Sequence, residues 1–227
     1  MQGKIAGHNI TGFDLPYLLK SSVIHGVKVH FGLAPKGRYF PDVFFDTMKF
    51  WCSDYGQYIS LQNLARALGC NFGKTDSGAD FYKFPRAKQE QYLENDLQLT
   101  DYVFSKINES VGYHDNWMVF DIETAPLPEQ DIIDIIGPFD PESVKVPKTY
   151  KDPEKIEAYK IKAESEHINK AFSKAQLNPE LSVPVAIGYK WSHGDVAMDF
   201  GSPEDLLKQF WKRTGDFWQG QMERHNS

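Results

Sequence analysis

The sequence predicts an α/β chain, on three observations. A short apolar strand at 4–8 passes through a turn directly into the helical pattern Leu15, Leu18, Leu19, Val23. A long helical periodicity over 86–107, with Leu93, Leu97, Phe104 and Ile107 on one stripe, is followed after a polar turn at 108–116 by the apolar run beginning at Trp117. Residues 183–191 and 195–200, joined by Ser192-His193-Gly194, read as a hairpin.

Composition narrows the class. Of 227 residues, 41% are hydrophobic and 14% aromatic, which argues against disorder and leaves enough chain for a sizeable core. No apolar run reaches the length of a membrane span and the first residues open no signal-peptide pattern, so a soluble cytoplasmic protein without a membrane partner is expected. Cys52 and Cys70 show neither Cys-x-x-Cys nor paired His spacing, which excludes a disulfide framework or a zinc site as the organising feature. The net charge of −6 argues against coating duplex nucleic acid through a broad basic face. It suits an acidic centre whose bound cations invert the local sign and attract phosphate.

The remaining elements follow in order. Asp14 falls in the first helical turn, where a carboxylate can simply cap the helix. Gly26, Gly32 and Gly37, with Lys28, Lys36 and Arg38, mark 26–41 as a surface loop. Residues 43–48 read as a buried strand and 60–69 as a short helix capped by Ser60 and stopped by Gly69. Between 71 and 85, Lys74, Phe81, Tyr82, Lys83 and Phe84 interleave basic and aromatic side chains; that pattern suits either single-stranded nucleic acid or ordinary loop packing. A charged helix at 152–176, with Ile161, Ile168 and Phe172 inward, forms an insertion at 127–180 packed on the domain. Ser202, Pro203, Glu204 and Asp205 cap an amphipathic helix reaching Trp211.

The chemistry-bearing stretch is 117–126, where an apolar strand carries Asp121 and Glu123 to a turn closed by Pro126. Residues two apart on a strand share a face, so the two carboxylates stand together. They repel unless a cation sits between them, and oxygen ligands select Mg²⁺ or Mn²⁺. An edge-of-sheet pair facing water is the alternative. Tyr92 and Asp96, four apart, project from one side of the long helix.

Three stretches taken together, Phe120-Asp121-Ile122-Glu123, His8-Asn9 through Phe13-Asp14, and Tyr92-x-x-x-Asp96, resemble the three motifs of the DEDD (DnaQ-like) 3′-to-5′ exonucleases. The likeness is to the Tyr-bearing subclass and, within it, to family B polymerase exonuclease-like proteins of bacteria and phages. The resemblance covers nearly the whole chain. It implies an RNase H-like fold, a central mixed five-stranded sheet flanked by helices, in a single exonuclease domain over 1–227. It further implies two Mg²⁺ or Mn²⁺ ions held by Asp121, Glu123, Asp14 and Asp96, with Tyr92 orienting or deprotonating the attacking water. The implied partner is a single-stranded DNA 3′ end, with RNA as the alternative; Phe13 is a candidate to stack on the terminal base, with a place as a core aromatic as the alternative, and Asn9 and Thr124 are the other expected substrate-binding residues. Rival readings are an exoribonuclease or RNase H-like endonuclease, and a nucleic-acid-binding module without catalysis.

The order departs from the family. The Asp-x-Glu motif comes last here, with the second and third motifs in 1–110 and the first motif and hairpin in 116–218, so the chain reads as circularly permuted. The tail 219–227 loosely imitates 2–9, and two copies cannot occupy one strand position. A closed monomer is the favoured expectation, and a strand-swapped dimer the alternative.

Overall fold

The computed structural model describes residues 3–37, 39–53, 58–73, 78–112, 115–147 and 149–225. The chain is α/β, with a five-stranded mixed sheet ordered β2-β1-β3-β4-β5 and flanked by helices, consistent with an RNase H-like arrangement. The strands are β1 (Lys4–Gly7), β2 (Phe44–Asp46), β3 (Trp117–Pro126), β4 (Ser182–Trp191) and β5 (Val196–Phe200). β3 is central, and β1 runs parallel to both its neighbours, Ile5 pairing with Phe44 of β2 on one side and Met118 of β3 on the other. β4 and β5 form the expected antiparallel hairpin.

Two compact units are present, Met1–Thr124 with Pro184–Ser227, and Ala125–Val183. The second is nearly the expected insertion at 127–180, and it has a core of its own. Ile132, Ala175 and Leu181 are buried together, with Ile136 and Phe172 packed around them. In its helices α5 (Glu129–Ile136) and α6 (Pro153–Lys174), the latter capped by Asp152, the expected inward stripe is only partly right: Phe172 packs, whereas Ile161 faces solvent. Ile168 lies outside the described side chains.

In the first unit, α1 (Asp14–Ile24) and α7 (Pro203–His225) cover one face of the sheet, around Met118, Phe120, Ile187, Tyr189 and Phe210. α4 (Arg86–Val111) covers the other, around Ala6, Val119 and Ala186, and packs through Leu99, Val103 and Ile107 against α3 (Leu61–Ala67). All four expected stripe residues of α4 are buried.

Four expectations shift. Val23 is 80% exposed, because α1 rolls to bury Ser22, whose hydroxyl accepts a hydrogen bond from Trp211 Nε1 at 2.8 Å. The strand expected at 43–48 stops at Asp46, whose carboxylate accepts the Met48 and Lys49 amides and so starts the short helix α2 (Thr47–Cys52). The turn expected at 108–116 is shorter, since α4 runs to Val111 and Gly112 ends it in the left-handed region. α7 passes well beyond Trp211, so the tail through His225 is helical rather than a second copy of β1. Asn226 and Ser227, the end of that tail, lie outside the described residues. Ser60 caps α3 as expected, and Ser202 accepts the Asp205 amide at 3.2 Å.

Candidate metal centre

Alternation along β3 decides which side chains reach the site. Met118, Phe120 and Ile122 point into the core under α1 and α7, and Asp121 and Glu123 therefore share the opposite face, beneath α4. From α4, Tyr92 and Asp96 descend toward them, four residues apart and both buried. Carboxylate oxygens of Asp96, Asp121 and Glu123 lie within 4.8 Å of one another, close enough to hold a metal ion. Asp96 is buried and the other two half-buried. The donor set is all oxygen, which suits a hard divalent cation.

α4 is pinned over the sheet by packing and by charge. Asp101, one and a half turns beyond Asp96, accepts Trp117 Nε1 at 2.8 Å from β3 and pairs with Lys190 of β4. At Gly188 of β4 a Cβ would lie 2.8 Å from both Leu93 Cγ and Leu97 Cδ1, so only glycine lets the helix settle this closely. Gly188→Val should therefore lift α4, costing about 1–3 kcal/mol and separating Asp96 from Asp121. Urea unfolding and metal-dependent thermal shift would read both effects, and an unchanged midpoint would show that the helix is not held there.

Asp14 opens α1 and is buried beside Asp121, outside the trio of converging carboxylates. Burial first, and then the charge of Asp121, raise its carboxyl well above the ordinary range, with Asp46 adding to the effect and its own backbone hydrogen bond opposing it. The N-cap position is Phe13, without a side-chain cap bond, and Asp14 lies in the first turn where its carboxylate accepts its own backbone amide, as a carboxylate at a helix N-terminus can. Tyr92 is raised as well, by burial and then by the charges of Asp96, Glu123 and Asp121, and it hydrogen-bonds to Asp96. In the metal-free protein its phenol holds its proton, which it shares with the Asp96 carboxylate as a hydrogen bond.

Of the other expected site residues, Phe13 is half-buried and tilts against Tyr17 at 5.7 Å, Thr124 is buried on β3, and Asn9 takes a left-handed conformation at φ 64° in the turn after β1. Asp46, which sequence reasoning left as a strand residue, organises that turn. It accepts the Asn9 amide at 3.0 Å, the Thr11 amide at 2.9 Å and the Thr11 hydroxyl at 2.7 Å, besides the two α2 amides. His8 contributes by bridging Thr47 Oγ1 and the Ile59 carbonyl at 3.0 and 2.8 Å. An Asp directly before a helix is a capping signal, and it is the only local hint that Asp46 carries structural weight.

In the segment that interleaves basic and aromatic residues, Phe81 follows the loop-packing alternative and supports Tyr92. Phe81, in the 3₁₀ turn Gly78–Lys83, is fully buried and meets the Tyr92 ring edge-on at 5.7 Å. A Cβ on Gly78 would fall 2.8 Å from the Tyr92 hydroxyl and 3.7 Å from Glu123 Oε2, which makes that backbone one wall of the site. Lys74 lies outside the described residues.

No helix among the described residues is long and apolar enough to cross a membrane. No family model, curated protein or solved structure matches the chain.

Proposed function

We propose that the chain is a metal-dependent 3′-to-5′ exonuclease acting on single-stranded DNA ends. The observation that carries this reading is the convergence of Asp96, Asp121 and Glu123 within 4.8 Å, with Tyr92 bonded to Asp96 at the same place. Hydrolysis of a phosphodiester needs positive charge on a doubly flanked anionic centre and a positioned water, and a nest of carboxylates alone would repel that substrate. Asp121, Glu123, Asp96 and Asp14 would hold two divalent ions, Mg²⁺ or Mn²⁺. When bound, those ions would lower the pKa of the attacking water and offset charge on the leaving 3′ oxygen.

The protein's own residues do the rest. Asp14, raised by burial and by Asp121, would release its proton on taking up a cation, so binding of the metal would be coupled to pH. Tyr92, fixed by Phe81 and by giving its hydroxyl proton to Asp96 as a hydrogen bond, keeps that proton and so orients the water by accepting a hydrogen bond on its oxygen rather than by removing the proton. Phe13 at the mouth of α1 would offer a ring for the terminal base, and Asn9 in the turn after β1 and Thr124 on β3 would be further contacts. The permuted order accounts for the topology: read from β3 through β4, β5 and α7 and then on to β1 and β2, the strands follow the sequence in which the family's motifs occur.

The test is incubation with 3′-labelled and 5′-labelled single-stranded DNA and RNA, with and without Mn²⁺. A one-nucleotide ladder shortening from the 3′ end of DNA is expected; metal-independent cleavage, or internal cuts, would overturn the reading. Tyr92→Phe should lower turnover on the order of 10²-fold, as removal of a water-positioning group does. Strand affinity should hardly move. Turnover equal to the parent's would assign Tyr92 to packing alone.

A further inference from the structure

We infer that a lysine-lined cleft at the far end of α1 from the carboxylates is a second contact for single-stranded nucleic acid, taking its phosphates on Lys28, Lys208 and Lys212 and a base on Phe31. α1 spans 11 residues from Asp14 to Ile24, so the cleft that begins at Gly26 follows the end of a helix that starts at Asp14 and is about 16 Å long. It has a volume of about 490 Å³ and is lined by 26–30 together with Lys208, Trp211 and Lys212 of α7.

Its charge is the opposite of the chain's. Net charge is −6, yet every ionisable group lining this cleft is a lysine or a histidine. Lys208 and Lys212 stand four apart on one helix face, an arrangement that destabilises a helix slightly unless an anion lies between them. Among the described residues none of the three lysines has a carboxylate partner. Glu204, one turn before Lys208, pairs instead with His25 at 3.3 Å.

The cleft is also built rather than incidental. Trp211 forms its floor, 3% exposed and fixed by its bond to Ser22. His30 meets the Trp218 ring edge-on at 5.8 Å and stacks on Phe31 at 5.5 Å, so the segment is held against α7 while Phe31 itself remains 85% exposed. A large ring held open beside unpaired lysines matches a strand, which offers a stacking face and a phosphate at each nucleotide. A free phosphate would use the charge but neither the ring nor the volume.

The inference shares only its class of ligand with the proposed activity, and it is tested without catalysis. Binding of a fluorescein-labelled oligothymidylate is followed by anisotropy in EDTA, where the metal-free carboxylates repel phosphate and the cleft dominates. For Lys28→Gln/Lys208→Gln/Lys212→Gln, at least tenfold weaker binding at low salt is expected, with a log–log salt slope smaller by about 2. Phe31→Ala should weaken binding about tenfold at an unchanged slope. Circular dichroism checks that these surface variants fold. Parent-like affinity and slope in both variants would overturn the inference, as would pyrophosphate or polyglutamate displacing the strand at equal charge concentration. Lysine-dependent binding without nuclease activity would sink the catalytic reading alone, whereas activity with lysine-independent binding would sink this one.

Discussion

Asp121→Asn is expected to lose metal-dependent nuclease activity by on the order of 10³-fold or more, because a ligand central to the cluster is removed and several kcal/mol of charge stabilisation go with it. Folding should survive. The substitution keeps the shape of a half-buried side chain and touches no core residue of β3. In EDTA the variant should in fact be the more stable protein. Asp14 holds its proton more tightly in the folded state than in the unfolded chain, where its value is the ordinary 3.8, and the Asp121 charge is the second cause after burial. A folded state that binds more protons than the unfolded one loses stability as pH rises. The metal-free parent is therefore most stable below pH about 4 with respect to this group and declines as pH climbs toward the raised value of Asp14. Asn at 121 lifts part of that penalty, by about 1 kcal/mol, which is roughly 2–4 °C in melting temperature for a chain of this size. The gap should close toward acid pH. Mn²⁺ should raise the melting temperature of the parent far more than that of the variant, by mass action on the folded state. A variant with parental activity would remove Asp121 from the site, and one that melts lower in EDTA at neutral pH would show that the carboxylates do not strain one another.

Asp46→Ala is expected to cost about 3 kcal/mol or more, read as a lower urea midpoint at unchanged m-value. The carboxylate takes the amides of Asn9, Thr11, Met48 and Lys49 and the Thr11 hydroxyl, so alanine leaves those donors without their acceptor in a part-buried turn. Function should fall with stability, because the turn from His8 to Phe13 delivers Asp14 to the start of α1. Asp46→Asn keeps one acceptor and should lie between the two. A shift within about 0.5 kcal/mol for alanine, the usual range for a surface position, would show that the turn holds without its clamp.

Some of this site was legible in the chain because its spacing is local. Asp121 and Glu123 share a face by strand alternation, Tyr92 and Asp96 by helical periodicity, and the α4 stripe of Leu93, Leu97, Phe104 and Ile107 is buried as the pattern requires. The strand-turn-helix at the N-terminus, the hairpin and the Ser60 and Ser202 caps follow from the same short-range rules. Each of those signals acts within a few turns or residues of backbone, where geometry is fixed by the chain itself.

Tertiary structure alone decided the rest. That α4 lies over β3, so that Asp96 meets Asp121, depends on Gly188 admitting Leu93 and Leu97 and on Asp101 reaching Trp117 and Lys190. Asp46 meets Thr11 across 35 residues and Trp211 meets Ser22 across 189, and no periodicity marks either pair. Val23 lost its expected place in the core to that second contact, and Phe81, for which loop packing was one of two readings, is buried against Tyr92. The tail that resembles 2–9 became the end of α7, where Gln221 is buried with its side chain against Gly3. A residue's own neighbours set its local conformation, but which distant surface it buries is chosen by the competition of all surfaces for one core.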